Sequence, residues 1–81
     1  MYHNWLRSFH AVAKEGGFTA ASKVLNIGQP TISDQVKALE QQFGVELFHR
    51  QGRTVSLTDT GRGLLEITKN IFGHEESKES T

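Results

Sequence analysis

Cysteine is absent from this 81-residue sequence, which excludes disulfide bonds and zinc sites built from thiolates. A reducing compartment such as the cytosol fits this composition. The sequence also lacks the continuous apolar stretch of a secretory signal, and nowhere does it approach the roughly 20 apolar residues that a membrane-spanning helix needs. We therefore expect a soluble, cytoplasmic protein with no membrane partner.

The formal net charge is zero, because nine Lys and Arg residues balance nine Asp and Glu residues. The balance is uneven along the chain: the C-terminal HEESKEST is acidic, whereas the middle of the chain is mildly basic. This basic excess is too small for a protein that holds nucleic acid mainly by nonspecific electrostatics. The length fits one small domain, and domains of this size commonly gain stability from a partner subunit.

Patterns typical of catalysis and metal binding are also lacking. The four histidines are scattered over predicted helix, strand and tail, and neither His3 nor His10 has an obvious third ligand nearby. No Ser-His-Asp pattern and no glycine-rich phosphate loop is present. We therefore expect neither an enzyme nor a metal or cofactor site in this fragment.

Apolar residues at three- and four-residue intervals predict three helices in the first half of the chain. The first helix ends at Gly16-Gly17, and its apolar stripe consists of Trp5, Leu6, Phe9, Val12 and Ala13. The second, FTAASKVL, takes Thr19 as its predicted N-cap and ends in the turn Asn26-Ile27-Gly28. The third carries Pro30 in its first turn, where no intrahelical hydrogen bond is lost. Its predicted core face consists of Ile32, Val36, Leu39 and Phe43.

The apolar pattern changes to alternation after Gly44, in VELFHRQGRTVSLT. Two short runs around 47–50 and 54–57 flank Gln51-Gly52-Arg53 and predict a small hairpin with glycine in the turn. Thr58-Asp59 then predicts the cap of a last helix. The apolar arc of that helix is wider than a three-helix core of this size could cover, which favours pairing with a second subunit.

Two helices joined by a tight turn, followed by a hairpin, predict a winged helix-turn-helix. With the apolar face of the third helix turned inward, Pro30, Asp34, Lys37 and Gln41 point away from the core. Gln29, Thr31 and Ser33 flank them near the start of the helix, where a recognition helix enters the major groove of DNA. Gln suits adenine, hydroxyls suit phosphates or base edges, and Lys37 suits a phosphate.

FTAASKVLNIGQPTISDQVKALEQQFGVELFHRQGRTVSLTDTG resembles the N-terminal domain of the bacterial LysR-type transcriptional regulators, and the match runs almost without gaps from Trp5 to Gly63. The resemblance implies a mainly α fold: a winged helix-turn-helix of three helices and a two-stranded wing, followed by a long linker helix. It also implies a double-stranded DNA operator, a homodimer formed through the linker helix, and a C-terminal domain that binds a small-molecule inducer. We expect that domain to lie outside this sequence.

Carried over by position, the resemblance implies base contacts in the major groove, phosphate contacts beside it and one contact in the minor groove. The base contacts fall on Gln29, Pro30, Ser33 and Asp34. The phosphate contacts fall on Thr31 and Lys37, with Arg50 in addition, and the minor-groove contact falls on Arg53. Two positions depart from the usual pattern: Asp34 stands where relatives commonly carry a basic or other non-acidic residue, and Gly28 stands where a capping Ser or Thr is common.

We expect residues 1–58 to form the DNA-binding domain, with the helix-turn-helix at about 18–38 and the wing at about 47–57. Residues 59–81 are expected to form the dimerisation helix and a polar tail. The dimer contacts are expected from the apolar residues of that helix, namely Leu64, Leu65, Ile67, Ile71 and Phe72.

Other interpretations stay open at this point. The polar start of the third helix fits a solvated surface, and some winged helices bind protein instead of DNA through the same face. Asp34 could pair with Lys37 along the helix and read no base. Arg53 could only solubilise a hairpin edge, and the apolar residues of the last helix could be ordinary packing.

Overall fold

The computed structural model describes residues 2–51 and 54–80, and the side chains of residues 3–50 and 55–73. Three helices come first: α1 (Tyr2–Glu15), α2 (Phe18–Leu25) and α3 (Gln29–Phe43). Two strands follow, β1 (Phe48–Gln51) and β2 (Thr54–Leu57), and the chain continues into the long helix α4 (Asp59–Ser80). The predicted fold class, three helices with a two-stranded wing and a further long helix, is confirmed.

The turn between α2 and α3 is the one that the sequence predicts. Asn26 adopts the left-handed conformation (φ 59°), and the backbone N–H of Ile27 donates to the carbonyl of Ser22 at 3.2 Å. Asn tolerates this conformation better than most residues, so α2 ends here without a glycine. Gly28 then provides the N-cap of α3 through its backbone alone.

The predicted N-cap of α2 is wrong by two residues. Thr19 lies inside the helix, and the extended Gly17 (φ −178°, ψ 160°) occupies the N-cap position. The carbonyl of Gly17 already accepts the first helical hydrogen bond, from the backbone N–H of Ala21 at 3.1 Å. No side-chain hydrogen bond caps the start of α2, and the carbonyl of Thr19 accepts from the hydroxyl of Ser22 at 2.8 Å.

The core lies between the first three helices and the base of the wing. Its central residues have no exposed surface: Phe9, Val12, Ala21, Ile32, Val36 and Leu39. Phe43, predicted on the same face of α3, is instead 60% exposed. It is the last residue of α3, whereas Leu47 and Phe48, a few residues further along the chain, are buried in the core.

The wing is an antiparallel hairpin whose register runs from Phe48 opposite Leu57 to Gln51 opposite Thr54. Thr58 then joins the wing to α4, as the sequence predicts. Its hydroxyl accepts from the backbone N–H of Gly61 at 2.9 Å, which caps α4, and donates to the carbonyl of Glu46 at 2.6 Å.

Helix α4 packs along α1 with one side and leaves the other exposed. Thr68 is completely buried, and its hydroxyl lies 2.9 Å from Nδ1 of His10. The ring of Phe72 lies 5.3 Å from the rings of both His3 and His10. None of the helices in the described part of the chain combines the length and the hydropathy that a membrane crossing requires.

Candidate nucleic-acid interface

The start of α3 presents a polar face to the solvent. Gln29, Pro30, Thr31 and Asp34 are exposed, and Ser33 is half-buried. The opposite face of the helix is fixed in the core through Ile32, Val36 and Leu39, which have no exposed surface. The rotation of α3 about its own axis is therefore set by burial, and the polar side chains lie on the face that remains.

A hydrogen bond to α1 also fixes the position of α3. The hydroxyl of Ser8, which is 1% exposed, donates to the side-chain carbonyl of Gln35. This pair does not follow from the sequence, because the two residues are 27 positions apart. The available signal was a small polar residue beside the apolar stripe of α1. A buried hydroxyl requires a partner, and Gln35 on α3 supplies it.

Asp34 and Lys37 lie one turn apart on α3, and both are exposed. Within the stretch 3–50, whose side chains the structure describes, no ion pair joins them. The alternative in which Asp34 is neutralised by Lys37 along the helix therefore has no contact to support it. Both charges face outward from the same surface of the helix.

Arg50 of β1 has partners inside the protein that do not follow from the sequence alone. Its guanidinium lies 3.6 Å from the carboxylate of Glu40 and 5.1 Å from the centre of the Phe18 ring. The other carboxylate oxygen of Glu40 accepts from the backbone N–H of Leu47 at 2.8 Å. These contacts attach β1 to α2 and α3, while 42% of the Arg50 side chain remains exposed.

A cleft of about 430 Å³ brings several of the predicted contact residues together. The start of α2 forms one wall, the start of α3 a second and the wing a third. The residues that line it include Gln29, Ser33, Arg50, Phe18 and Thr19. Predicted base-contacting and phosphate-contacting side chains from two elements thus share one concave surface. Arg53, the predicted minor-groove contact, lies outside the described residues.

The predicted dimer residues of α4 fall into two groups. Leu64 and Leu65 are half-buried against the core, and Phe72 packs against the histidines of α1. Ile67 and Ile71 are 55% and 44% exposed. Part of the wide apolar arc is therefore ordinary packing within the chain, and these two isoleucines leave an exposed apolar patch beside the packed face.

Among the residues with described side chains, no group of three or more His, Asp or Glu residues lies close enough to hold a metal ion. The site consists of exposed hydrogen-bonding groups, two outward-facing charges and a partly exposed guanidinium on a rigid support. Together with the tight turn and the wing, these features define a winged helix-turn-helix.

The family model described as "Bacterial regulatory helix-turn-helix protein, lysR family" matches residues 3–62. The chain therefore belongs to the LysR family. It is 45% identical over 74 residues to the HTH-type transcriptional activator AmpR of Providencia stuartii. That match covers 91% of this chain and 25% of AmpR, so the chain spans about a quarter of the length of this relative.

Two solved complexes with DNA have the same fold. The CbnR DNA-binding domain in complex with DNA superposes with a TM-score of 0.84 at 36% identity, covering 99% of this chain and 92% of that one. The BenM DNA-binding domain with catB site 1 DNA superposes with a TM-score of 0.85 at 32% identity, covering 99% and 89%. Both structures are complexes of a DNA-binding domain with DNA.

Proposed function

We propose that this chain is the sequence-specific DNA-binding part of a bacterial LysR-type transcriptional regulator. One observation carries the proposal: the polar start of α3 is held rigidly outward by a fully buried opposite face and shares a cleft with Arg50 of the wing. A rigid, exposed helix start suits insertion into the major groove. The likeness to the DNA complexes of CbnR and BenM supports the same function.

On this proposal Gln29, Pro30, Ser33 and Asp34 face base edges in the major groove. Thr31 and Lys37 contact phosphates on either side of the groove. These assignments are carried over by position from the LysR family, and exposure along α3 and side-chain chemistry support them: an amide suits adenine, hydroxyls suit phosphates or base edges, and an ammonium group suits a phosphate.

The wing supplies the remaining contacts of the proposal. Arg50 has nearly half of its side chain exposed and lines the cleft together with Gln29. It can therefore contact the DNA backbone while Glu40 and Phe18 hold it in place. Arg53 is proposed to enter the minor groove, where a narrow groove concentrates negative potential.

We further propose that residues 1–58 bind DNA and that residues 59–81 pair two copies of the chain. The exposed Ile67 and Ile71 support this division, since a second copy would remove them from water. A twofold dimer presents two α3 helices to one side of the duplex, separated by one helical turn or a multiple of it. An inducer-binding domain elsewhere in the whole regulator is part of the same proposal.

Salt-dependent binding to duplex DNA tests the function. Each neutralised phosphate contributes about −0.9 to the slope of log K against log salt, so Lys37, Arg50 and Arg53 predict a slope of roughly −3 per subunit. Lys37→Ala should reduce the slope by about 1 per subunit. Lys69→Ala, on α4 and paired with Glu66, is the matched control and should leave the slope unchanged. A flat salt dependence in the wild-type chain would favour a protein-docking face and overturn the proposal.

A further inference from the structure

Asp34 is the only acidic residue on the exposed start of α3, and its position conflicts with simple electrostatic attraction to DNA. It follows Pro30 by one turn and faces outward with Gln29 and Lys37. On the proposed function, its carboxylate enters a groove lined by two phosphate backbones. Coulomb repulsion and loss of hydration then disfavour binding to DNA of arbitrary sequence.

Local neutralisation does not relieve this conflict. Lys37 is the only cation within one turn of Asp34 on α3, and it forms no ion pair with Asp34 in the described part of the helix. The carboxylate of Asp34 is therefore exposed with both oxygens available as acceptors. A hydrogen-bond donor that compensates for the water lost from this carboxylate must come from the bound DNA.

The major groove offers two base donors, the exocyclic amines of cytosine and adenine. The adenine amine lies beside the N7 acceptor, which repels a carboxylate oxygen, whereas the cytosine amine has no acceptor beside it on its own base. Cytosine is thus the base that an aspartate at the start of α3 matches.

We infer that Asp34 is a specificity-determining residue that selects cytosine at one position of each half-site and weakens binding where another base stands there. The inference rests on the proposed function. The Asp34 carboxylate then has two effects of opposite sign: it strengthens binding to sites with the selected base and weakens binding to other DNA.

Substitution of Asp34 by Asn separates these effects, because Asn keeps the size of the side chain and removes its charge. Sites selected from a random duplex library by the 81-residue chain should carry cytosine at the Asp34 position. With Asp34→Asn the selected base should change toward adenine, which an amide matches in bidentate fashion. Discrimination for cytosine should fall roughly 5- to 100-fold, and binding to random duplex should tighten.

Glu66→Gln is the matched control, since it removes the same charge from an exposed position on α4, where Glu66 pairs with Lys69. It should change neither the selected motif nor the affinity for random duplex. If Asp34→Asn raises affinity on all duplexes while the motif stays unaltered, Asp34 only repels phosphate and the inference is overturned. Absence of salt-dependent duplex binding by the wild-type chain would instead overturn the proposed function, so the two failures are distinguishable.

Discussion

Nδ1 of His10 lies 2.9 Å from the hydroxyl oxygen of Thr68, and this contact joins α1 to α4 in the interior. The same hydroxyl donates to the carbonyl of Leu65 at 3.0 Å, so it accepts from the imidazole N–H.

Thr68→Val keeps the shape of the side chain but removes this acceptor. We expect the free energy of unfolding to fall by about 1 to 3 kcal/mol, measured by urea denaturation. Thr60→Val, at an exposed position of α4, should change it by less than about 0.5 kcal/mol; equal losses would contradict the assigned hydrogen bond.

Gly61 is in close contact with the backbone that enters the wing. A Cβ atom at this position would lie 2.2 Å from the carbonyl oxygen of Leu47 and 3.0 Å from a methyl group of Leu57. Gly61→Ala should therefore lower stability by about 1 to 3 kcal/mol, because backbone must shift to admit the methyl group. Gly63→Ala meets no atom within 4 Å and should stabilise α4 by about 0.5 to 1 kcal/mol. Thermal unfolding of the two variants should shift the midpoint in opposite directions.

Glu40 connects α3 to the wing through the backbone N–H of Leu47 and the guanidinium of Arg50. Glu40→Ala removes both contacts, so the Leu47 amide should exchange its hydrogen faster and stability should fall by about 1 to 3 kcal/mol. Gln41→Ala, at the neighbouring exposed position, is the control. Amide exchange followed by NMR gives the readout, and an unchanged Leu47 rate in Glu40→Ala would show that Glu40 does not hold the wing.

The sequence predicts the parts of this fold that depend on local periodicity and turn chemistry. The core face of α3 at Ile32, Val36 and Leu39 and the left-handed Asn26 are of this kind. The N-cap of α2 does not follow from the sequence, because glycine and threonine are both acceptable N-caps and Gly17 and Thr19 stand only two positions apart. The exposure of Phe43 was also missed, because helical spacing does not reveal where the partner surface ends.

The candidate site is likewise only partly predictable from the sequence. The polar face of α3 follows from the spacing of its apolar residues, which places Gln29 and Asp34 outward. The contacts of Arg50 with Glu40 and Phe18 join segments that are distant in sequence, and a single sequence carries no measure of such distances. The packing of Leu64 and Leu65 against the core likewise depends on how α4 lies on α1.

Gln29 is exposed at the first position of α3 and lines the cleft beside the wing. Gln29→Ala should weaken binding to the preferred site by roughly 1 to 3 kcal/mol and binding to random duplex by much less, because an amide that reads a base contributes only where that base is present. Gln41→Ala, on the same helix but beyond the core-facing Leu39, should affect neither. Titrations of labelled duplexes at fixed salt give the comparison, and equal losses on both duplexes would exclude base reading by Gln29.

Ile71 is 44% exposed on α4, at the edge of the face that packs against the rest of the chain. Ile71→Asp should shift the chain from dimer to monomer in sedimentation at tens of micromolar, because a charge on each subunit would be buried at a twofold interface. Val24→Asp introduces the same charge at a 60% exposed position of α2 and should leave association unchanged. A wild-type chain that sediments only as a monomer at these concentrations would count against pairing through α4.

The contacts of Arg50 and Phe48 with the Phe18 ring attach the wing to α2, and the ion pair of Arg50 with Glu40 attaches it to α3, which carries the polar face. The two surfaces therefore cannot slide past each other, and the distance between them is a fixed property of the protein. On the proposed function, a duplex must bring a major groove and its neighbouring minor groove to that distance, by its resting geometry or by bending and twisting. The energy of such deformation differs between base steps. Operators whose grooves reach this spacing at a low deformation energy should then bind more tightly. Bases that no side chain contacts would contribute to the choice of operator in this way.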